Sequence, residues 1–206
     1  MKSSDFQPAR ILTVGLQAVL VWQIVAAFVT AGGIFMSMSR QLILPPGVFE
    51  VYETLRQSLN FWHWIVIVVL AFWTYRISKN THALASPKPT ISPGWAVGWY
   101  FVPFANLVQP YLVMSELYNA NRRPDAWSKL GRPVITGIWW GLNVLGMVLG
   151  VAVVISRMDM GTPPLGLAGA LLAVIGLQQV SLLAISWKIS GWQGKARSLE
   201  HVENVF

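Results

Sequence analysis

Four long stretches without a charged residue constrain this sequence more than any other feature. They hold 29, 19, 24 and 28 uncharged residues, bounded in turn by Arg10 and Arg40, Arg56 and Arg76, Arg132 and Arg157, and Asp159 and Lys188. A helix needs about 20 predominantly apolar residues to cross the hydrocarbon core of a bilayer. We therefore predict four membrane-spanning helices. Their expected residues are 11–35, 58–77, 133–155 and 165–187.

The composition supports a membrane protein. Hydrophobic residues make up 54% of the chain and charged residues 11%, whereas soluble domains carry about 25% charged residues. The 11 Trp and 5 Tyr residues suit the headgroup region, where amphipathic rings settle. A net charge of +7 could indicate nucleic acid, but the basic residues lie in short segments between apolar runs, so we expect no nucleic-acid partner. The chain has no Cys, which excludes disulfides, thiolate metal sites and cysteine nucleophiles.

A fifth uncharged stretch, between Lys88 and Glu116, is unsuited to a straight span. Pro93, Pro103 and Pro110 interrupt it, and an interior proline costs a helix about 3 kcal/mol. Broken backbone at membrane depth is tolerated only where protein or water covers it. We expect residues 92–121 to be interfacial or re-entrant, with Pro110 in the first turn of a short helix that ends near Asn121.

The distribution of Lys and Arg predicts the orientation. With four spans, the two chain ends and the loop between the second and third spans share one side of the membrane. Twelve of the 15 basic residues fall on that side, and the other three are Arg40, Arg56 and Arg157. The positive-inside rule then places both termini and the central loop in the cytoplasm.

These observations predict an all-α membrane protein of one domain, residues 1–206. Its fold class is a four-transmembrane-helix bundle with a proline-broken interfacial or re-entrant segment between helices 2 and 3. Before the second span, the turn signal Pro45-Pro46-Gly47 precedes apolar residues at helical spacing. We expect an amphipathic helix there that leads directly into the second span.

No residue pattern indicates catalysis. All eight Asp and Glu residues lie outside the predicted spans, and no nucleophile–base pair or set of metal ligands stands out. His63, between Trp62 and Trp64, is the ionisable candidate inside a span. It is either a proton-responsive group or axial ligand, or an interfacial histidine in an aromatic belt. We expect no enzyme activity, no catalytic residues, no metal and no cofactor.

Amide side chains form a predicted polar layer at mid-bilayer depth. Gln23, Asn143 and Gln178 fall at this level when about 1.5 Å is counted per helical residue. Such amides must find partners. The layer is either a binding pocket or permeation path, or a structural contact between helices.

A basic cluster precedes the third span. Arg122, Arg123, Lys129 and Arg132 could bind anionic lipid headgroups, each contributing about 1 kcal/mol near the surface. The same charges also serve to determine topology, and both roles are compatible.

The segment Ser92–Tyr111 carries a dense motif, SPGWAVGW followed by FVPFANL and a Pro110-Tyr111 pair. With Met114, Glu116 and Leu117 following, it resembles the signature of a bacterial membrane-protein family that is described only as a domain of unknown function. The resemblance implies a fold family and a bacterial inner (cytoplasmic) membrane, and it implies no activity.

The motif has the parts of a broken membrane element. Its glycines allow close backbone approach, its prolines open carbonyl groups, and Asn106 could satisfy them. We hypothesise that its residues form an interaction surface. The candidates are Trp95, Trp99, Pro103, Phe104 and Asn106.

These considerations favour a non-catalytic accessory or scaffold subunit that associates with membrane lipids and with other membrane-protein subunits or a second copy. The alternative is a small transporter, channel or membrane sensor that uses the polar layer.

Overall fold

The chain is built from helices, as the uncharged runs predict. The computed structural model describes residues 9–38, 46–161 and 164–203, and these contain no strand. Six α-helices follow in order: α1 Arg10–Met38, α2 Pro46–Leu84, α3 Pro93–Gly98, α4 Gln109–Arg122, α5 Val134–Met160 and α6 Leu165–Glu203. Short 3₁₀ turns occupy Trp99–Phe101, Ala105–Leu107 and Trp127–Lys129.

Four of these helices are long and apolar enough to cross a membrane. Their candidate spans are Arg10–Met36, Glu53–Leu84, Val134–Met160 and Leu165–Ala196. Each contains one of the predicted spans almost completely, so the prediction of four spanning helices is confirmed.

Two of the helices extend well beyond their predicted spans. α2 and α6 each have 39 residues, although the expected spans were residues 58–77 and 165–187. Both expected ends lie beside a charged residue, Arg76 and Lys188. A charged residue marks where the helix leaves the hydrocarbon core. It does not end the helix, because backbone hydrogen bonding continues past the charged residue into the polar region. α2 therefore runs on to Leu84 and α6 to Glu203.

The start of α2 agrees with the expectation of a helix leading into the second span. Pro46 is its first residue, where a missing amide donor costs nothing. From there the helix continues without interruption into the apolar part. Pro45 and Arg40 lie outside the described residues.

The chain forms two compact units. Unit 1 comprises residues 1–17, 67–137 and 183–206, and unit 2 comprises residues 18–66 and 138–182. In unit 1 the core consists of large side chains with no more than 2% of their surface exposed, contributed by α1, α2, α4 and α6. They are Leu16, Trp73, Ile77, Met114, Leu117, Ile185 and Ile189.

Unit 2 packs through small residues and a few large ones. Trp139 and Leu20 are buried, and Gly176 on α6 accepts the ring of Phe28 on α1. A Cβ on Gly176 would lie 2.9 Å from Cε2 of Phe28. Glycine at this position therefore permits the close approach of α6 to α1.

The segment between α2 and α5 is broken, as its prolines predict. α3 has only six residues, and 3₁₀ turns follow it up to α4. α4 begins with a proline in its first turn and ends at Arg122, close to the predicted helix from Pro110 to Asn121. It packs against each of the three 3₁₀ turns and is the helix around which this part of unit 1 is arranged.

Candidate functional site

The candidate interaction surface begins with two stacked tryptophans. The rings of Trp95 and Trp99, one helical turn apart, have centroids 4.7 Å apart and planes inclined by 34°. Gly98 makes room for this pair, since a Cβ there would lie 3.1 Å from Cε3 of Trp95. The sequence placed both tryptophans on one surface, and the structure brings them into contact with a defined orientation.

Phe104 lies at the centre of a strained turn. Its backbone has φ 62° and ψ −42°, and the N–H of Ala105 donates to the carbonyl of Pro103 at 2.7 Å. This is a γ-turn with positive φ, a rare conformation that is unfavourable for a bulky residue. The side chain is 86% exposed, so no packing of the ring compensates for the strain.

Pro103 and Asn106 complete the turn. Pro103 is exposed and Asn106 is half-buried. The N–H of Asn106 donates to the carbonyl of Val102 at 2.9 Å. In the described part of the chain its side chain makes no hydrogen bond to a freed carbonyl, so Asn106 acts through its backbone and not through the amide group that the motif suggested.

Tyr100 holds the segment to α2. Its hydroxyl oxygen is buried, and this burial raises the pKa of the phenol above its ordinary value, while the neighbouring Thr74 side chain opposes the rise. The neutral phenol is therefore the form that the fold accommodates. The exposed apolar residues on the same segment are three aromatic and two aliphatic ones: Trp95, Phe101, Phe104, Leu107 and Val108.

The basic cluster is exposed. Arg122, Arg123, Lys129 and Arg132 all have accessible side chains. The guanidinium carbon of Arg132 lies 5.6 Å from the centroid of the Tyr111 ring, within the range of a cation–π interaction. The remaining three charges are available to anionic groups outside the chain.

The polar layer is only partly assembled as predicted. The amide Nε2 of Gln179 donates to Oε1 of Gln23 at 2.7 Å, and both residues are buried. The sequence pointed to Gln178, which is half-buried and does not take this position. Asn143 is half-buried in the same unit, and its Oδ1 has no hydrogen-bond partner among the described residues, as is also true of Oε1 of Gln179.

A second group of amides in unit 1 was not predicted. Asn80 donates to Gln193 at 3.0 Å, Gln193 donates to Asn121 at 2.8 Å, and Asn121 donates to Thr81 at 2.8 Å. Thr81 closes the series by donating to the carbonyl of Ile77 at 2.7 Å. We call these four side chains the amide chain. It joins α2, α6 and α4, and all four residues are buried, with at most 7% of their surface exposed.

Hydroxyl groups extend these contacts to α1. Nε1 of Trp73 donates to Oγ1 of Thr13 at 3.1 Å, and Oγ1 of Thr13 lies 3.0 Å from Oγ of Ser190. Trp73 and Thr13 are buried. Because the indole N–H must be the donor, the Thr13 hydroxyl is free to donate to Ser190. Polar contacts thus connect α1, α2, α4 and α6 within unit 1.

Comparison with known protein families places the chain in a family. A family model described as a domain of unknown function, DUF4328, matches residues 54–187, which is more than half of the chain. The chain belongs to the DUF4328 family. No curated protein and no solved structure matches it. The expectation that the chain belongs to a family of unknown function is confirmed.

The region shared with DUF4328 covers the broken segment, α4 and the basic cluster. It includes Asn80 and Asn121 of the amide chain but ends before Gln193. α1 and the last part of α6, which complete the polar contacts of unit 1, lie outside it. In this DUF4328 chain the region beyond the family match therefore supplies part of the core.

The amide chain was missed because of where the predicted helices ended. Asn80, Thr81 and Gln193 lie beyond residues 77 and 187, where the charge pattern predicts the central loop and the C-terminal tail. The available signal was the run of residues after Lys188, in which Ile189, Trp192 and Ala196 continue the helical spacing of an apolar face. Recognising that face would have extended α6 and placed Gln193 beside α2.

Proposed function

We propose that this DUF4328 chain is a non-catalytic accessory or scaffold subunit of a bacterial inner membrane, with both termini in the cytoplasm. In this proposal, the aromatic surface of residues 95–108 binds the apolar surface of another membrane-embedded protein. The observation that carries it is the strained, exposed Phe104.

The strain at Phe104 favours a partner of fixed shape. A positive-φ backbone at a bulky residue costs about 1–3 kcal/mol and persists only where surrounding structure enforces it. Such outliers concentrate at binding and active sites. A fluid bilayer accepts an aromatic ring in any rotamer and from any backbone conformation. A rigid partner pocket, in contrast, requires the ring at one position, which the γ-turn of Pro103–Ala105 provides.

The buried polar groups support a structural role. In unit 1 the amide chain satisfies its members with one another, so these side chains are used to hold helices together. Together with the stacked Trp95–Trp99 pair, they form a rigid base for the exposed segment. Preorganisation of this kind lowers the entropic cost of association.

Site-specific photo-crosslinking tests the proposal. A photoreactive residue is introduced in place of Phe104 or, as a matched control, in place of Phe72, an apolar residue of α2 that is 63% exposed. We expect position 104 to form a discrete adduct with one membrane protein and position 72 to form lipid adducts. Crosslinking of position 104 to lipid alone would refute the proposal, and an adduct of two copies would identify the partner as the chain itself.

Retention of that partner measures the contribution of individual residues. The crosslinked protein should co-purify with the full chain in gentle detergent, and Phe104→Ala or Trp99→Ala should reduce its recovery at least tenfold, as expected for an aromatic residue at the centre of an interface. Phe72→Ala should leave recovery unchanged. Equal recovery in all variants would show that the aromatic surface is not the interface.

The alternative function, a small transporter, channel or sensor, has its own supporting observation. Oδ1 of Asn143 and Oε1 of Gln179 are buried acceptors without a partner among the described residues, and a buried unsatisfied group costs about 1–3 kcal/mol. A transported donor or water would remove that cost.

A single cysteine tests this alternative, because the chain has no Cys of its own. Reaction of Asn143→Cys with a small membrane-impermeant thiol reagent would favour the transporter, channel or sensor. Protection of that cysteine would favour the scaffold.

A further inference from the structure

A cavity in unit 1 lies beside α4, apart from the aromatic surface. Its volume is about 320 Å³, and α4, the turn around Trp127 and residues 90–91 line it. Pockets for small ligands begin at about 300 Å³. The cavity is therefore large enough for a small polar molecule or for the headgroup of a lipid.

Two opposite charges line this cavity, and each is held by an uncharged partner. The backbone N–H and the hydroxyl of Thr90 both donate to Oε1 of Glu116, the hydroxyl at 2.8 Å. The guanidinium group of Arg132 lies over the ring of Tyr111. Both hydrogen bonds that Glu116 accepts from the described residues end on Oε1, so Oε2 retains its capacity to accept hydrogen bonds. The wall thus offers a carboxylate and a guanidinium group to a ligand with a complementary pair of charges.

An acceptor without a partner lies on the same wall. Asn119 is 5% exposed, and its Nδ2 donates to the carbonyl of Gly131 at 3.1 Å. This bond fixes the amide and leaves Oδ1 buried without a partner among the described residues. The amide of Asn119 is therefore a fixed, buried part of this wall.

The remaining polar groups suit the anionic part of a ligand. Ser128, with a hydroxyl donor, lines the cavity together with Arg132. Nε1 of Trp127 donates to the carbonyl of Pro87 at 2.7 Å, which fixes the indole ring as one side of the cavity. Guanidinium and hydroxyl groups are the donors that phosphate oxygens prefer.

We infer that this cavity binds a phosphoethanolamine group. Its primary ammonium donates to Glu116, and its phosphate accepts from Arg132 and Ser128. The group is either the headgroup of a membrane phospholipid or a free small molecule. A choline group carries no N–H donor and a glycerol headgroup carries no cation, so neither uses both halves of the site.

Binding to the purified full chain in detergent tests this inference. The probes are short-chain phosphatidylethanolamine, the matching phosphatidylcholine and phosphatidylglycerol, and soluble phosphoethanolamine. Native mass spectrometry and thermal shift should both rank the ethanolamine lipid at least tenfold tighter than the choline and glycerol lipids. Equally tight binding of soluble phosphoethanolamine would assign the site to a free molecule, and binding of the lipid alone would assign it to the membrane.

Matched variants test the assigned residues. Glu116→Gln and Arg132→Gln each remove one charge from the wall, and each should weaken the ethanolamine lipid about tenfold or more, as expected for loss of a charged hydrogen bond. Asp125→Asn and Lys79→Gln change the same charges at exposed positions outside the cavity and outside the basic cluster, and they should bind as the natural chain does.

Two results would overturn the inference. The first is equal binding of the ethanolamine, choline and glycerol lipids by the natural chain, a comparison that needs no variant to fold. The second is a loss that appears equally in Lys79→Gln and Arg132→Gln, because that would reflect attraction of the lipid phosphate to positive charge in general and not to the cavity. Neither result depends on the protein partner of Phe104.

Discussion

Phe104 shows how a single residue can carry more information about function than its type suggests. Its ring is exposed and its backbone is strained. Without a partner, the chain would therefore have a larger free energy of unfolding with another residue at this position. Sequence reasoning selected Phe104 because it belongs to an aromatic motif. It could not predict the γ-turn, since phenylalanine is among the residues least suited to positive φ, and only the packing of the flanking turns against α4 imposes it.

Replacing Phe104 by Gly should stabilise the chain. Glycine adopts positive φ freely, so the strain of about 1–3 kcal/mol disappears, and a large part of the gain is offset by the greater freedom of glycine in the unfolded chain. We expect a net gain of up to about 1 kcal/mol in Phe104→Gly and little change in Phe104→Ala, measured by thermal unfolding in detergent. A loss of stability in the glycine variant would contradict the strained turn.

Gln193 is the residue on which the amide chain depends, because it is both acceptor from Asn80 and donor to Asn121. Gln193→Leu leaves polar atoms of two buried neighbours without this partner, which should cost about 2–4 kcal/mol and lower the apparent Tm by several degrees. Gln178→Leu is the control, since this half-buried glutamine on the same helix should change stability by no more than about 0.5 kcal/mol. Similar losses in both variants would argue against the amide chain.

At the scale of elements, charge spacing was a good guide to which segments are helices and a poor guide to where they end. The four uncharged runs located α1, α2, α5 and α6, and the prolines located the broken segment. Depth counting located a polar layer but chose Gln178 over Gln179, because adjacent residues share a depth while they point about 100° apart around the helix. Rotation about the helix axis is set by packing, which no count along the chain contains.

Truncation tests whether the end of α6 is part of the core. A chain that stops after Trp187 loses Ile189 and Gln193, both buried in unit 1, whereas a chain that stops after Ala196 keeps them. We expect the shorter chain to aggregate or to melt well below the full chain, and the longer one to remain monodisperse on size-exclusion chromatography. Equal behaviour of the two truncated chains would show that the extension of α6 contributes nothing to packing.

For the whole molecule, the predicted orientation in the membrane decides which compartment each part of unit 1 faces. Unit 1 contains the exposed basic cluster as well as the broken segment, the cavity and the amide chain. Under the positive-inside rule this unit belongs to the cytoplasmic side. The proposed partner surface and the proposed headgroup cavity would then face the same compartment.

Single cysteines can test the orientation directly, because the chain has none of its own. Lys129→Cys and Asp159→Cys both replace exposed charged residues, one in the basic cluster and one near the end of α5. In intact cells an impermeant maleimide should label position 159 and should reach position 129 only after the membrane is permeabilised. The reverse pattern would place the basic cluster outside and contradict the predicted topology.

The amide chain also limits how unit 1 can move. Its bonds lead from α2 to α6, from α6 to α4 and from α4 back to α2, and Gln193 also donates directly to the Ile77 carbonyl of α2 at 3.3 Å. Sliding α6 by one residue shifts it by about 1.5 Å and turns it by about 100°, which would break the links on both sides of Gln193 together. A conformational change within unit 1 would therefore have to move α2, α4 and α6 together as one rigid body.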